Sequence, residues 1–153
     1  MEIISKYVEV HVVRKFNNKP EFLMLKRSGK EIYGGLWQIV TGKIKKGEKA
    51  FESALREMKE ETGLIPKRFW TAPNVNSFYS YEEDCVIILP VFAALVDETD
   101  KVIISKEHTE FKWTNPGKAK TMLAWPGQRK SIDIIENYMM NESNFLKFVE
   151  IHL

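Results

Sequence analysis

GKIKKGEKAFESALREMKEETGL, residues 42–64, decides how the rest of the chain is read. On a helical wheel of about 100° per residue, Phe51, Ala54, Leu55, Met58 and Thr62 form one stripe, while Glu57, Glu60 and Glu61 share another face. The helix docks by one side and offers carboxylates on the other. Gly63 stands where a left-handed C-cap is expected, Leu64 supplies the accompanying apolar contact, and Pro66 prevents continuation, so the helix stops just after Glu61. Carboxylates at i, i+3 and i+4 repel by about a few tenths of a kcal/mol per pair, and the helix dipole adds a penalty of about the same size. A hard divalent cation reverses the sign, because Mg²⁺ prefers oxygen ligands and sits between one or two carboxylates and substrate phosphates. The alternative at this point is a solvated acidic face. Arg56 can reach Glu52 or Glu60 one turn away, and Gly42 and Gly47 bracket a loop able to bring backbone oxygens close to a metal.

Upstream of this stretch, Val8, Val10 and Val12 alternate with Glu9 and His11 as in a half-buried strand. Residues 22–25 read as its hairpin neighbour across Asn17, Asn18, Lys19 and Pro20. Residues 28–35 form a polar, glycine-bearing loop, and LWQIVT, residues 36–41, is a short strand delivering the chain to Gly42. Downstream, residues 69–81 and 86–96 read as two long strands joined by Glu82, Glu83 and Asp84. Pro90 removes a ladder donor from the second and predicts an edge or a bulge there. Residues 111–114 predict a further strand, residues 128–140 a helix, and residues 145–151 a last short helix. No repeat, low-complexity tract or linker divides the chain, so one domain over residues 1–153 is expected. Strands with an inserted helix and helices at the end predict an α+β fold, a mixed sheet with helices on both faces.

Bulk properties restrict function. A chain of 153 residues with 44% hydrophobic and 29% charged residues is ordinary for a globular domain, which excludes disorder and fibres. A net charge of +2, with dispersed Lys and Arg, gives no support for a nucleic-acid partner. Cys85 stands alone in an apolar run and reads as a buried core thiol rather than a nucleophile. No secretory signal is evident, and the longest apolar run, residues 85–96, falls short of the roughly 20 residues that span a bilayer. No membrane association and a cytoplasmic location are expected.

At every specified position residues 42–64 match the Nudix box, G-x5-E-x7-R-E-U-x-E-E-x-G-U with U aliphatic: Gly42, Glu48, Arg56, Glu57, Met58, Glu60, Glu61, Gly63 and Leu64. The chain therefore resembles the Nudix hydrolase family. That resemblance implies an α/β/α sandwich and hydrolysis of a nucleoside diphosphate linked to another group with Mg²⁺ or Mn²⁺. It implies that Glu57, Glu60 and Glu61 bind metal, with the Gly42 carbonyl as a further ligand. Arg56 would orient the glutamates, and Glu48 would brace the loop or take a water-mediated metal contact. The general base is Glu57 or Glu60 within the box or Glu107 outside it, with Glu110 as a competitor. His108 reads as a loop histidine, a surface residue or substrate contact.

LWQIVTG, EHTEFKW and WPGQRKSI extend the resemblance, more loosely, over residues 8–140 toward the dihydroneopterin triphosphate pyrophosphohydrolase branch, whose members also accept deoxynucleoside triphosphates such as dATP. Pro126-Gly127 departs from that pattern. Trp37, Phe78, Tyr79, Tyr81 and Trp113 lie near expected strand ends and can stack on a purine or pterin ring. Lys26 and Arg27 can pair with phosphates. The expected substrate-binding set is Lys26, Arg27, Trp37, Gln38, Tyr81 and Trp113. The expected reaction cleaves a nucleoside or pterin triphosphate to the monophosphate and pyrophosphate, in a monomer or homodimer. The alternatives are a dinucleoside polyphosphate or nucleotide-sugar hydrolase and a non-catalytic nucleotide-binding module.

Overall fold

Along residues 7–16 the apolar alternation turns Val8, Val10 and Val12 to one side of a strand and Glu9, His11 and Val13 to the other, all buried. Burial on both faces makes this strand an interior one, and the sheet of the computed structural model, which describes residues 1–153, is built around it. The strands are β1 (Glu2–Ile4), β2 (Tyr7–Phe16), β3 (Lys19–Arg27), β4 (Trp37–Gln38), β5 (Val40–Lys43), β6 (Arg68–Ser80), β7 (Cys85–Leu95) and β8 (His108–Thr114). The helices are α1 (Ala50–Thr62), α2 (Pro116–Met122) and α3 (Pro126–Met140), followed by a 3-10 turn, Ser143–Phe148.

β7 runs parallel to β1 and β2, and every other pairing is antiparallel, so the sheet is mixed. The β2–β3 hairpin turns through Asn17 and Asn18, both left-handed at φ 51° and 61°, a conformation Asn tolerates better than most residues. Beyond this hairpin end the two strands part. β2 takes β5 as its neighbour, with Val8 opposite Gly42, while β3 takes β4, with Leu25 opposite Gln38. The expected single strand over residues 36–41 is therefore two, because the chain crosses the gap at Ile39, and Gly42 lies inside β5 rather than at the start of a loop.

One core, containing Val13, Phe22, Trp70, Val91, Ile132 and Ile135, lies between the sheet and α2, α3 and the 3-10 turn. The other, containing Val10, Leu25, Met58, Leu64, Phe69 and Phe92, lies under α1. The result is the expected α/β/α sandwich. Pro90 meets a register shift in β6 between Ala72 and Val75, the bulge its missing donor calls for. Asn115 caps α2, accepting from the Lys118 N–H at 2.8 Å. The last expected helix, over residues 145–151, is the shorter 3-10 turn. Cys85 is buried and free, and no helix is long and apolar enough to cross a membrane.

His11 is fully buried in this sheet, edge-on to Phe22 at 6.1 Å, and neither ring nitrogen has a hydrogen-bond partner. Burial lowers its pKa from 6.5 to about 3. The unfolded chain takes up the proton that the fold refuses, so this group costs stability as pH falls below 6.5. Glu9, raised by burial from 4.5 to about 7, has the opposite slope, stabilising below 4.5 and losing that contribution as pH rises through 7. Comparing His11→Leu with the natural protein isolates the histidine. Urea midpoints should show the variant gaining about 2–3 kcal/mol relative to the natural protein between pH 7.5 and 4.5. A difference that stays flat across that range would mean the ring is not held neutral.

Candidate active site

The helix α1 starts where Glu52 accepts the Lys49 backbone N–H at 2.8 Å, and ends at Gly63, whose φ of 72° and N–H bond to the Lys59 carbonyl make the expected left-handed cap. Its carboxylates are organised by Arg56. The guanidinium grips Glu48 with two bonds, 2.7 and 2.9 Å, donates to Glu57 at 2.7 Å and to Glu60 at 3.3 Å, and reaches the Lys43 carbonyl at 3.1 Å. Arg56 thus ties the loop, the end of β5 and the helix together. Of its two foreseen partners it takes Glu60, while Glu52 is engaged in the cap. The fork-to-fork pair holds the Glu48 carboxyl down to about 2. Gly42 lies against Glu57 so closely that a Cβ there would overlap the Glu57 side chain, which gives the box glycine a steric reason.

Glu61 is built differently from its neighbours. It is only 2% exposed, and its Oε2 is buried with no hydrogen-bond partner. Burial first, then the charges of Glu57 and Glu107, push its pKa to about 9. Its Oε1 lies 3.7 Å from His108 Nε2, too long for a hydrogen bond. Glu61, Glu107 and His108 bring potential ligand atoms within 4.8 Å of one another.

His108 corrects the expectation of a surface loop residue: it opens β8 and is 4% exposed. The cause is a bulge. β3 and β8 pair Lys26 with Glu110 but Arg27 with His108, so one residue of β8 is skipped and His108 is turned inward. There its Nε2 accepts from the Gln38 side-chain amide at 2.9 Å, and burial, helped by Arg27, lowers its pKa to about 4. With Nε2 occupied, the imidazole is neutral and its lone pair is used. The remaining donors around Glu61 are oxygens, from Glu57, Glu61 and Glu107, a set that suits a hard cation such as Mg²⁺ or Mn²⁺ better than zinc.

The other expected site residues divide. Glu60 stands at the rim, its side chain 55% exposed. Gln38 and Arg27 join the cleft, the guanidinium donating to Gln38 Oε1 at 3.4 Å and to the Ile32 carbonyl at 2.8 Å. Lys26 pairs with Glu110 at 3.2 Å. It shares the half-buried Trp37 with Lys112, their ammonium groups 5.9 and 5.3 Å from the ring centroid. Tyr81 is not brought to the cleft. It lies 80% exposed in the β6–β7 turn, and the strand register sets that turn about 20 Å along β7 from the level of Glu9. The Trp113 ring is taken by Arg14, whose guanidinium sits 4.4 Å from its centroid.

Comparison with known proteins agrees with this geometry. The family model for the NUDIX domain matches residues 6–135. An octanoyltransferase of Myxococcus xanthus is 29% identical over 132 residues, covering 82% of this chain; the chain spans only 35% of that protein's length. The crystal structure of a Caenorhabditis elegans Ap4A hydrolase binary complex superposes with a TM-score of 0.74 at 20% identity, covering 89% of this chain and 98% of that one. The Escherichia coli dihydroneopterin triphosphate pyrophosphohydrolase gives 0.68 at 22% identity, covering 82% and 92%. At these identities the two structures establish a shared fold.

Replacing Arg56 with Lys keeps one charge but no fork, so Glu48 cannot be held by two bonds while Glu57 and Glu60 are also engaged. The expected loss is about 1–2 kcal/mol of stability, with amide exchange accelerated over residues 44–49. Natural exchange protection in that loop would show that Arg56 does not anchor it.

Proposed function

The chain belongs to the Nudix family, and from that premise we propose that it is a divalent-metal-dependent hydrolase that cleaves a nucleoside or pterin triphosphate to the monophosphate and pyrophosphate. The observation that carries this reading is the Glu61 carboxyl, buried without a donor, a few ångströms from Glu107 and under the charge of Glu57. An uncompensated carboxylate in that position is costly, and a bound cation removes the cost. Glu57 and Glu61, with the Gly42 backbone beside Glu57 and Glu107 facing them, would hold Mg²⁺ or Mn²⁺. The ion's charge would neutralise phosphate oxygens and lower the pKa of a coordinated water.

The protein's own groups have separable tasks. Arg56 fixes Glu57 and restrains Glu60, so the carboxylates are positioned before substrate arrives. Glu57 and Glu60 are both tied up by accepting from Arg56, whereas Glu107 is exposed and stands outside that clamp. We assign to Glu107 the proton of the water that attacks phosphorus. The P–O bond to the leaving pyrophosphate breaks as the new P–O bond forms. Gln38 and Arg27 hold the neutral His108 as a fixed wall of the cleft. Lys26 and Lys112, both close to the Trp37 ring, supply positive charge for the phosphate chain.

Pyrophosphate release with Mg²⁺ and with chelator, across dihydroneopterin triphosphate, deoxynucleoside triphosphates and diadenosine tetraphosphate, tests the reading. Release from a triphosphate that stops with chelator is expected. ATP and AMP from the tetraphosphate, with no pyrophosphate from the others, would replace the substrate assignment with a dinucleoside polyphosphate. Glu61→Gln should lower turnover at least about a hundredfold. It should leave the metal-free protein folded and abolish any rise of Tm with Mg²⁺. Near-natural turnover in that variant would remove Glu61 from the metal site.

A further inference from the structure

On the face of β2 turned away from α1, a second carboxyl is buried with no cation beside it. Glu9 is 5% exposed, and its partners are neutral amides: Asn76 donates to Oε2 at 2.6 Å, and the Gln128 side chain lies against the same carboxyl. The surroundings are shaped for this contact. Gly127 approaches Asn76 so closely that a Cβ there would overlap the amide. Asn74 braces the same turn by donating to Ser131 Oγ at 2.8 Å. Pro126 at the first turn of α3 and Gly127 behind it, the departure noted in the sequence, thus seat the start of the helix on Asn74 and Asn76 and bring Gln128 over Glu9.

The position connects this group to the cleft. Glu9 stands opposite Thr41 across β2 and β5, one residue from Gly42, which abuts Glu57. β4 and β5 are separated along the chain by Ile39 alone, and a ligand whose phosphates lie at the carboxylate cluster would extend across this junction to reach Glu9. At the outer end of α3, Trp125 and Tyr33 form an edge-to-face pair at 6.1 Å, both largely exposed.

We propose that Glu9, flanked by the Asn76 and Gln128 amides, reads the ring of the substrate, and that the ring carries a 2-amino-4-oxo-pyrimidine edge, the edge shared by guanine and pterins. This inference rests on the triphosphate hydrolase reading and names its substrate more narrowly. The matching is by donor and acceptor count. Such an edge presents an amino group and a ring N–H side by side, two donors for the two oxygens of one carboxylate, and next to them a carbonyl that accepts from an amide. Adenine presents an amino donor beside a ring nitrogen that only accepts, and it leaves one carboxylate oxygen facing a lone pair. Hypoxanthine keeps the ring N–H and carbonyl but lacks the amino group. A site built on buried polar groups penalises a ligand that leaves them unpaired far more than an apolar pocket penalises a change of size. Two ring donors would favour the charged form of this carboxyl, which burial raises to about 7.

The test measures ring binding apart from catalysis. GMP, IMP, AMP and neopterin monophosphate are titrated calorimetrically into the full chain in the presence of chelator. GMP or the pterin should bind at least about tenfold tighter than AMP, with IMP between them; which of the two binds tighter identifies the source of the edge. Glu9→Gln keeps the acceptor for Asn76 but opposes an amide NH₂ to the ring N–H, and should erase the preference for GMP over AMP. The series on the natural protein needs no variant, so a folding defect in Glu9→Gln does not remove the test. Equal affinities across the rings, or a preference unchanged in Glu9→Gln, would overturn the proposal and leave Glu9 as a structural tie between β2, β6 and α3. Ring preference without any pyrophosphate release would instead count against the hydrolase reading alone.

Discussion

β2 and β3 pair through residues 13–16 and 19–22 and then separate, because β5 continues the ladder of one and β4 the ladder of the other. Everything in the cleft depends on that parting. An unbroken sheet would bury its backbone polar groups in ladders and present a closed floor to both layers of helices. The parted sheet lets the carboxylates of α1, docked on the β2–β5 half, meet residues carried by β4 and β8 on the β3 half. Glu61 and His108 belong to opposite sides of this opening, and Gln38 is held to His108 there. Two segments distant in sequence become one site because a strand pair fails to continue.

The electrostatics divide between an anchored part and a buried, unpaired one. Arg56, with its five donors in a planar fork, satisfies Glu48, Glu57 and a backbone carbonyl together, a task that no flexible ammonium could meet. Its charge stays where it is whether or not a ligand is present. Glu61 has no such partner and faces the negative charges of Glu57 and Glu107. Local rules of stability would replace it with an apolar residue. A site that breaks such a rule beside a rigid cationic clamp is one where stability is given up for binding.

How much of this was legible depended on whether the determining contact was local. The end of α1, with Gly63 as its cap and Pro66 beyond, could be read from spacing because capping involves neighbours in the chain. The mixed sheet with helices on both faces followed from element order, and the bulge at Pro90 from a missing N–H. His108 was unreadable as a buried residue because a single skipped position in β8 reverses which side of the strand it faces, and alternation carries no mark of a bulge. The two-residue strand β4 and the crossing at Ile39 were hidden inside one apolar run. Pro126-Gly127 looked out of place because its reason lies in Asn76, far away in the sequence and in contact only after folding. Tyr81 shows the converse error: an aromatic near a strand end reads as a stacking platform, yet the length of β6 carries it to the far tip of a hairpin.

Glu61 and Glu9 pose the same physical problem on the two faces of one sheet, and the groups around them point to different solutions. Around Glu61 the free neighbours are carboxylates, since the imidazole lone pair of His108 is already used, so only a cation brings the cluster to balance. Around Glu9 the neighbours are neutral amides that can donate or accept, an environment that suits a planar ligand with its own N–H groups better than a metal ion. The strand pair β2–β5 lies between the two sites, with Glu9 of β2 opposite Thr41 and Glu57 of α1 against Gly42. A molecule that is anionic at one end and a hydrogen-bonding heterocycle at the other is what such a pair of sites is fitted to hold. The spacing between them is set by the β2–β5 ladder and by the packing of α1 on it.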